Sequence, residues 1–407
     1  MSTAIQGSAS KVFRFDVVVL GGAGHVGLPL AIALASRGLL VCICDINEKS
    51  VATVLGGELP FREEGAQQLL RRALDDGTLT ASTDDQVIGE AEHVVVVIGT
   101  PVDGHLNPDP YAVPQALRAG RRNLRPGQLV LLRSTVYPGV TERVERMLAD
   151  EGVRVDVAFC PERIAEGRAM EELFSLPQIV AARTPEVRQR AGNLFRHLTN
   201  SIVELQPEEA ELAKLFTNTW RYIKFAAANQ FYVMANDHGL DYDVIRKALA
   251  VDYPRASDMP GAGFAAGPCL LKDTMQLAAF TDNSFVLGHS AMLVNEGLPL
   301  YIVSRLKAKH DLSTMTVGIL GMAFKGGSDD IRSSLSYKLK RILAFSADRV
   351  LCTDPYVTVD ESLDSLDDVL DQSDLLVIGA PHPEYRRVPT SKEVVDVWNL
   401  LGRGTTI

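Results

Sequence analysis

Short, unbroken apolar runs punctuate the first part of the chain, at residues 17–20, 39–44, 94–98, 129–133 and 155–159. Each has strand length. Amphipathic stretches such as 67–74 lie between them, and 28–37 reads as a helix stopped by Gly38. Glycines crowd the turn between the first run and that helix, and the second run ends at Asp45. Continuous apolar strands alternating with helices predict a parallel sheet covered on both faces.

The texture changes at about residue 208. The stretch 208–238 contains no Pro and no Gly, and Leu212, Leu215, Phe216 and Ile223 recur at helical spacing. Helical pattern resumes at 242–250 and, with interruptions, across 272–303. Strand-like runs return at 316–320, 349–353, 374–379 and 394–397. The predicted fold class is α/β: two parallel-sheet domains joined by an all-helical middle.

Composition narrows the function. A chain of 407 residues holds material for two or three domains. Lys plus Arg is 41 against 51 Asp plus Glu, a formal net charge of -10, which argues against a nucleic-acid binder. Residues 1–10 are polar and do not read as a signal peptide, and no run reaches the roughly 18 apolar residues of a membrane span. The five cysteines (Cys42, Cys44, Cys160, Cys269 and Cys352) are odd in number and widely spread. That pattern predicts no disulfide framework and a reducing, cytoplasmic setting. No Cys/His cluster has zinc spacing, so no metal is expected.

The glycine turn reads Gly22-Ala23-Gly24-His25-Val26-Gly27, a GxGxxG pattern between a strand and a helix. The first glycine suits a tight turn, the second a close approach of backbone to a pyrophosphate, and the third helix–strand packing. Asp45 follows Gly27 by eighteen residues at a strand end. An acid there accepts from adenosine ribose hydroxyls and repels a 2′-phosphate, which favours NAD over NADP. Gly99-Thr100-Pro101 and Ser134-Thr135 each follow a strand, where open parallel sheets bind ligands.

Cys269 ends a glycine-rich loop just before a predicted helix, a position that favours a thiolate. Lys214 and Asn218, four apart, share a helix face and could donate to an oxyanion. Glu162 and Glu166 follow a strand and could serve a hydrolytic step. Lys325 and Arg332 suit a phosphate or a carboxylate. Each has a plainer reading when taken alone: a buried structural cysteine, a solvated helix face, loop acids in water, surface charges.

As an ordered set these segments resemble the UDP-glucose/GDP-mannose dehydrogenase family, from about residue 16 to 399. The resemblance rests on GxGxxG, Gly99-Thr100-Pro101, Ser134-Thr135-Val136, Cys160-Pro161-Glu162-Arg163-Ile164-Ala165-Glu166-Gly167, Glu211-Leu212-Ala213-Lys214 with Asn218, Gly263-Phe264 with Cys269 and Lys272-Asp273, and Gly321-Met322-Ala323-Phe324-Lys325 with Asp330 and Arg332. It implies an NAD-binding Rossmann domain at 1–205, a helical dimerising domain at 206–305 and a Rossmann-like nucleotide-sugar domain at 306–407. It implies oxidation of a sugar C6 alcohol to a carboxylate with two NAD per turnover, through a thiohemiacetal and a thioester on Cys269.

By that resemblance Lys214 and Asn218 stabilise the oxyanion, Thr135 and Asp273 order a water, and Glu162 is a general base. Gly22, Gly24, His25, Val26, Gly27, Asp45, Thr100, Pro101, Ser134, Glu166 and Arg332 line the cofactor. Gly263, Phe264, Lys325 and, from a partner subunit, Arg255 touch the substrate. The loop before the nucleophile departs from the family's Gly-Phe-Gly-Gly, reading Gly263-Phe264-Ala265-Ala266-Gly267-Pro268. The retained Lys272-Asp273 pair favours a glucose-type substrate carried on UDP or TDP. The alternatives are a UDP-N-acetylhexosamine or GDP-mannose 6-dehydrogenase, and a non-catalytic dinucleotide-binding protein of the same fold.

Overall fold

The computed structural model of the chain describes residues 13–100, 102–103 and 108–407; Pro101 lies outside them. The chain forms two compact units that divide inside one long helix, between Lys214 and Leu215, with Val102, Asp103 and Pro108 counted in the second.

The first unit runs β1 (Phe15–Leu20), α1 (Gly27–Ser36), β2 (Val41–Cys44), α2 (Glu48–Leu55), α3 (Ala66–Asp75), β3 (Leu79–Ser82), β4 (Ala91–Val96), α4 (Ala112–Gly120), β5 (Leu129–Leu132), α5 (Val140–Asp150), β6 (Asp156–Phe159), α6 (Ala169–Ser175), β7 (Gln178–Ala181), α7 (Pro185–Phe195) and β8 (Ile202–Leu205). Its eight strands lie in the order β3-β2-β1-β4-β5-β6-β7-β8. Neighbours are parallel except for β6 and β7, which meet in an antiparallel pair at Phe159 and Ala181. Side chains alternate between two cores. Val17, Val19, Leu129 and Leu131 enter one, and Val18, Val130 and Leu132 enter the other. Burial on both faces is why the inner strands β2 and β5 are apolar at every position.

The strand order reverses at β1, which has β2 on one side and β4 on the other. The crevice at the carboxyl ends of those strands is where open α/β sheets hold ligands.

The long helix, α8 (Pro207–Asp237), crosses the division. The second unit continues with α9 (Tyr242–Ala250), α10 (Leu270–Phe280), α11 (Val286–Lys309), β9 (Thr316–Leu320), α12 (Leu335–Leu343), β10 (Arg349–Thr353), α13 (Leu366–Gln372), β11 (Leu375–Ile378) and β12 (Glu393–Val395). Its four strands are all parallel, in the order β10-β9-β11-β12. The helices and this sheet share a core that includes Tyr232, Leu298, Ile302, Ile319 and Val377. No described helix is long and apolar enough to cross a membrane.

Candidate active site

In the first unit the turn after β1 is set by backbone sterics. Gly21 has φ +76°, and a Cβ there would stand 2.4 Å from the Val97 carbonyl oxygen. Gly22 and Gly27 are just as crowded: a Cβ on Gly27 would lie 2.6 Å from the Gly22 Cα. Gly24 differs. A Cβ on it would meet nothing nearer than 3.9 Å, so open space lies over the middle glycine. α1 begins at Gly27 with Val26 at its N-cap, and no side chain caps it. Uncapped amides, a helix N-terminus and an open glycine suit a pyrophosphate. Asp45, after β2, accepts from the Ala23 N–H at 2.9 Å and the Asn47 N–H at 3.0 Å. Each carboxylate oxygen keeps a second lone pair for a ribose hydroxyl. These residues fit a dinucleotide.

The neighbouring strand ends are tied together. The Ile98 N–H donates to Ser134 Oγ at 2.7 Å, and Thr100 Oγ1 donates to the half-buried Thr135's carbonyl at 2.6 Å. His25 Nδ1 lies 2.7 Å from Glu166 Oε1, and its ring packs on Phe61 with centroids 4.0 Å apart.

Glu162 is not a solvated loop acid. It is buried against Arg133, itself wholly enclosed. Its Oε2 accepts from Arg133 Nε at 3.0 Å and from Arg133 Nη2. Its Oε1 accepts from the N–H groups of Arg163 at 2.7 Å and Ile164 at 3.0 Å. All four acceptor positions of the carboxylate are filled. Arg133 also donates to the Cys160 carbonyl and to Gln178 Oε1, both at 3.0 Å.

Lys214 and Asn218 lie one turn apart on α8, both buried. Three residues before Lys214, buried Glu211 accepts from the N–H groups of Gly139 (2.6 Å) and Thr141 (2.8 Å) and from the Thr141 hydroxyl (2.6 Å). Burial pushes the Glu211 carboxyl up despite these donors, which pull it down. The contact fixes the start of α8 against the N-terminus of α5 and so sets the position of Lys214.

In the second unit Cys269 is the N-cap of α10 and is exposed. The other four cysteines are buried, and no cysteine is in a disulfide. Burial pushes the thiols of Cys42, Cys160 and Cys352 up to about 12, and that of Cys44 to about 11. One turn beyond Cys269, the fully buried Asp273 is held on both oxygens. Lys272 Nζ is 2.9 Å from Oδ1, and Asn218 Nδ2 donates to Oδ2 at 2.6 Å.

The loop leading to Cys269 is clamped. Asn229 on α8 bonds both backbone groups of Gly263 at 2.9 Å and is braced by Asn295 of α11, also at 2.9 Å. The Trp398 ring covers Gly263, and it packs edge-on to Phe264 with centroids 6.1 Å apart. Lys325 lies over the Phe324 ring, and Arg332 makes a bidentate pair with Asp330 at 2.6–3.0 Å. Arg255 is exposed beside Tyr253.

Sequence reasoning named neither Arg133, Asn229 and Trp398 nor the buried pair Asp354 and His382. Their partners are distant in sequence, and no local spacing marks them.

An open dinucleotide turn, an acid at the next strand end and a second parallel sheet define an NAD-dependent oxidoreductase with an additional ligand-binding fold. The chain belongs to the UDP-glucose/GDP-mannose dehydrogenase family: its NAD binding domain matches residues 16–199, its central domain 208–296 and its UDP binding domain 318–403. A UDP-N-acetyl-D-mannosamine dehydrogenase of Pyrococcus horikoshii is 32% identical over 380 residues, covering 90% of each chain. The enzyme of that name from Escherichia coli K12 is 29% identical, covering 91% of this chain and 95% of its own. A solved UDP-glucose dehydrogenase from Pyrobaculum islandicum superposes with a TM-score of 0.87 at 28% identity, covering 96% of each chain. The protein is an NAD-dependent nucleotide-sugar dehydrogenase.

Proposed function

We propose that the protein oxidises the C6 alcohol of a UDP-N-acetylhexosamine, of the N-acetylmannosamine type, to the uronate in two NAD-dependent steps. The observation that carries the chemistry is the exposure of Cys269 at a helix N-terminus while the other four thiols are buried. The relatives from P. horikoshii and E. coli support the substrate. They outweigh the Lys272-Asp273 pair, which by resemblance favoured a glucose-type sugar. The likeness to the P. islandicum enzyme keeps UDP-glucose as the second reading.

NAD, when bound, accepts the hydride of each step. In this reading the Gly22–Gly24–Gly27 turn and α1 hold its pyrophosphate, and Asp45 holds its ribose. By the family resemblance His25, Val26, Thr100, Ser134 and Glu166 belong to the same cofactor site. The Cys269 sulfur adds to the aldehyde carbon made by the first oxidation, giving a thiohemiacetal. Loss of a second hydride leaves a thioester, and water cleaves it to the carboxylate and a regenerated thiol. Lys214 and Asn218 donate to the oxyanion. Asp273, through its bond to Asn218, orients that amide. Glu162, with its acceptor positions filled, serves as a strut under the Ser134–Thr135 turn rather than as a free base. Gly263, Phe264, Lys325 and a partner's Arg255 receive the sugar nucleotide, within the division 1–205, 206–305 and 306–407.

Exposed Phe216, Trp220, Phe231 and Met234 on α8, with Val244 and Leu249 on α9, support a homodimer through the helical middle. A single-chain mass in light scattering would refute it.

The test of the activity counts NADH released per sugar, with UDP-N-acetylmannosamine, UDP-N-acetylglucosamine, UDP-glucose, TDP-glucose and GDP-mannose. Two NADH from a UDP-N-acetylhexosamine are expected, with Cys269→Ser stopping at one or none. Two from UDP-glucose would select the second reading. One per sugar from the wild-type protein would remove Cys269 from the chemistry.

A further inference from the structure

The two sheets finish their first strand with the same device. In the first, the Gly21 N–H donates to the Cys44 carbonyl at 2.8 Å, and Asp45 accepts from Ala23. In the second, the Gly321 N–H donates to the Thr353 carbonyl, also at 2.8 Å, and Asp354 accepts from the N–H groups of Met322 (2.7 Å) and Ala323 (2.9 Å). The acids differ in access. Asp45 is partly exposed, whereas Asp354 is sealed by His382, whose Nε2 is 3.0 Å from Oδ2; neither side chain has any exposed surface. Asp354 has no room for a ligand hydroxyl, so its bonds serve the protein alone.

His382 completes the seal on its other side. Its Nδ1 accepts the Gly327 N–H at 3.0 Å, so in the neutral ring Nε2 carries the proton and donates to Asp354. Tyr356 and Tyr385 stand edge-on to the ring, at 5.0 Å and 5.7 Å. The loop 321–327 is therefore pinned at Met322, Ala323 and Gly327. Gly326 lies so close to the next loop that a Cβ would be 2.4 Å from the Pro381 carbonyl oxygen. Lys325 sits between the pinned points.

We propose that His382 and Asp354 are a positioning pair for substrate binding. They hold the Lys325 loop in its binding shape before the nucleoside diphosphate of the sugar arrives. The inference rests on the reading that this unit receives the nucleotide sugar. Preorganisation spares the ligand the cost of ordering the loop, so the pair acts on affinity and not on the oxidation steps.

The test measures UDP affinity by calorimetry on the full chain, together with steady-state kinetics. His382→Ala removes the bonds to Gly327 and Asp354 and should weaken UDP and raise the sugar-nucleotide KM about tenfold, the scale of the one loop anchor lost at Gly327. The KM for NAD and kcat at saturation should stay within about twofold. His382→Gln, which can accept from Gly327 and donate to Asp354, should restore most of the affinity. Gly327→Ala, which has open space but φ +75°, should strain the anchor without removing the pair and weaken UDP as well. It provides the measurement if His382→Ala does not fold. Unchanged UDP affinity in either loosened variant would overturn the proposal. So would a His382→Gln protein as weak as His382→Ala, or a matching rise in the NAD KM. A wild-type protein that binds neither UDP nor any nucleotide sugar would instead fail the reading of the substrate unit.

Discussion

Gly263→Ala probes the clamp on the loop that leads to Cys269. The new Cβ would stand 2.1, 2.2 and 2.6 Å from Cζ3, Cε3 and Cη2 of Trp398. Carbon atoms pack at about 3.5 Å or more, so the ring would have to retreat by well over an ångström. It is not free to do so: its Nε1 donates to the Ile378 carbonyl at 3.3 Å, and its edge packs on Phe264. The backbone cannot yield either, because Asn229 holds both polar groups of Gly263. Overpacking costs about 1–3 kcal/mol. The φ of +147° adds roughly 1–3 kcal/mol for a residue with a Cβ. The variant should therefore lose about 2–6 kcal/mol, read as a lower urea midpoint at unchanged slope. Trp398→Ala and the double variant complete a cycle. Removing the ring should cost about 1–3 kcal/mol less in the Gly263→Ala background than in the wild type, because it also removes the collision. Losses that add within about 0.5 kcal/mol would refute the account of the clamp.

Two further outcomes are expected, one at Asp45 and one at Asp243, in the first turn of α9. Asp45→Ala removes the acceptor at the end of β2 and should raise the KM for NAD about tenfold, the scale of one charge-assisted hydrogen bond; discrimination against NADP should shrink, and an unchanged NADP/NAD ratio would mean that Asp45 does not face the ribose. Burial alone would raise the Asp243 carboxyl, but Lys247, Arg246 and Asn399 bring it down to about 2. Its stabilisation is complete above the ordinary carboxyl range near 4 and is lost as pH falls through about 2. The thermal midpoint gap between wild type and Asp243→Asn should thus hold above pH 4 and close between pH 4 and 2; a gap that persists at pH 2 would refute this.

Much of the fold was legible because burial on two faces writes itself into sequence. The runs at 316–320 and 349–353 coincide with β9 and β10, and the breaker-free stretch 208–238 is α8 to within one residue at either end. The strands β3, β7 and β8 were missed. Each has four residues, and β3 and β8 form the two edges of the sheet, where one side lacks a neighbour. Leu-Thr-Ala-Ser and Ile-Val-Glu-Leu carry too little apolar signal to stand out. At the site, the glycine turn, Asp45 and the helix starting just after Cys269 could be read because they are local. The filling of Glu162 by Arg133 could not, since 29 residues separate them. Neither could the grip of Asn229 on Gly263, 34 residues away, nor that of His382 on Asp354 across 28. Such pairs are made by topology.

The seclusion of four thiols has a practical side. A thiol-directed soluble alkylating reagent meets one exposed cysteine per chain, Cys269, so mass spectrometry of the intact protein would report a single added group without any engineering. Mild oxidants face the same geography. They would reach Cys269 while the buried thiols stay untouched, and under the proposed chemistry activity would be lost in a molecule that still melts at its usual temperature.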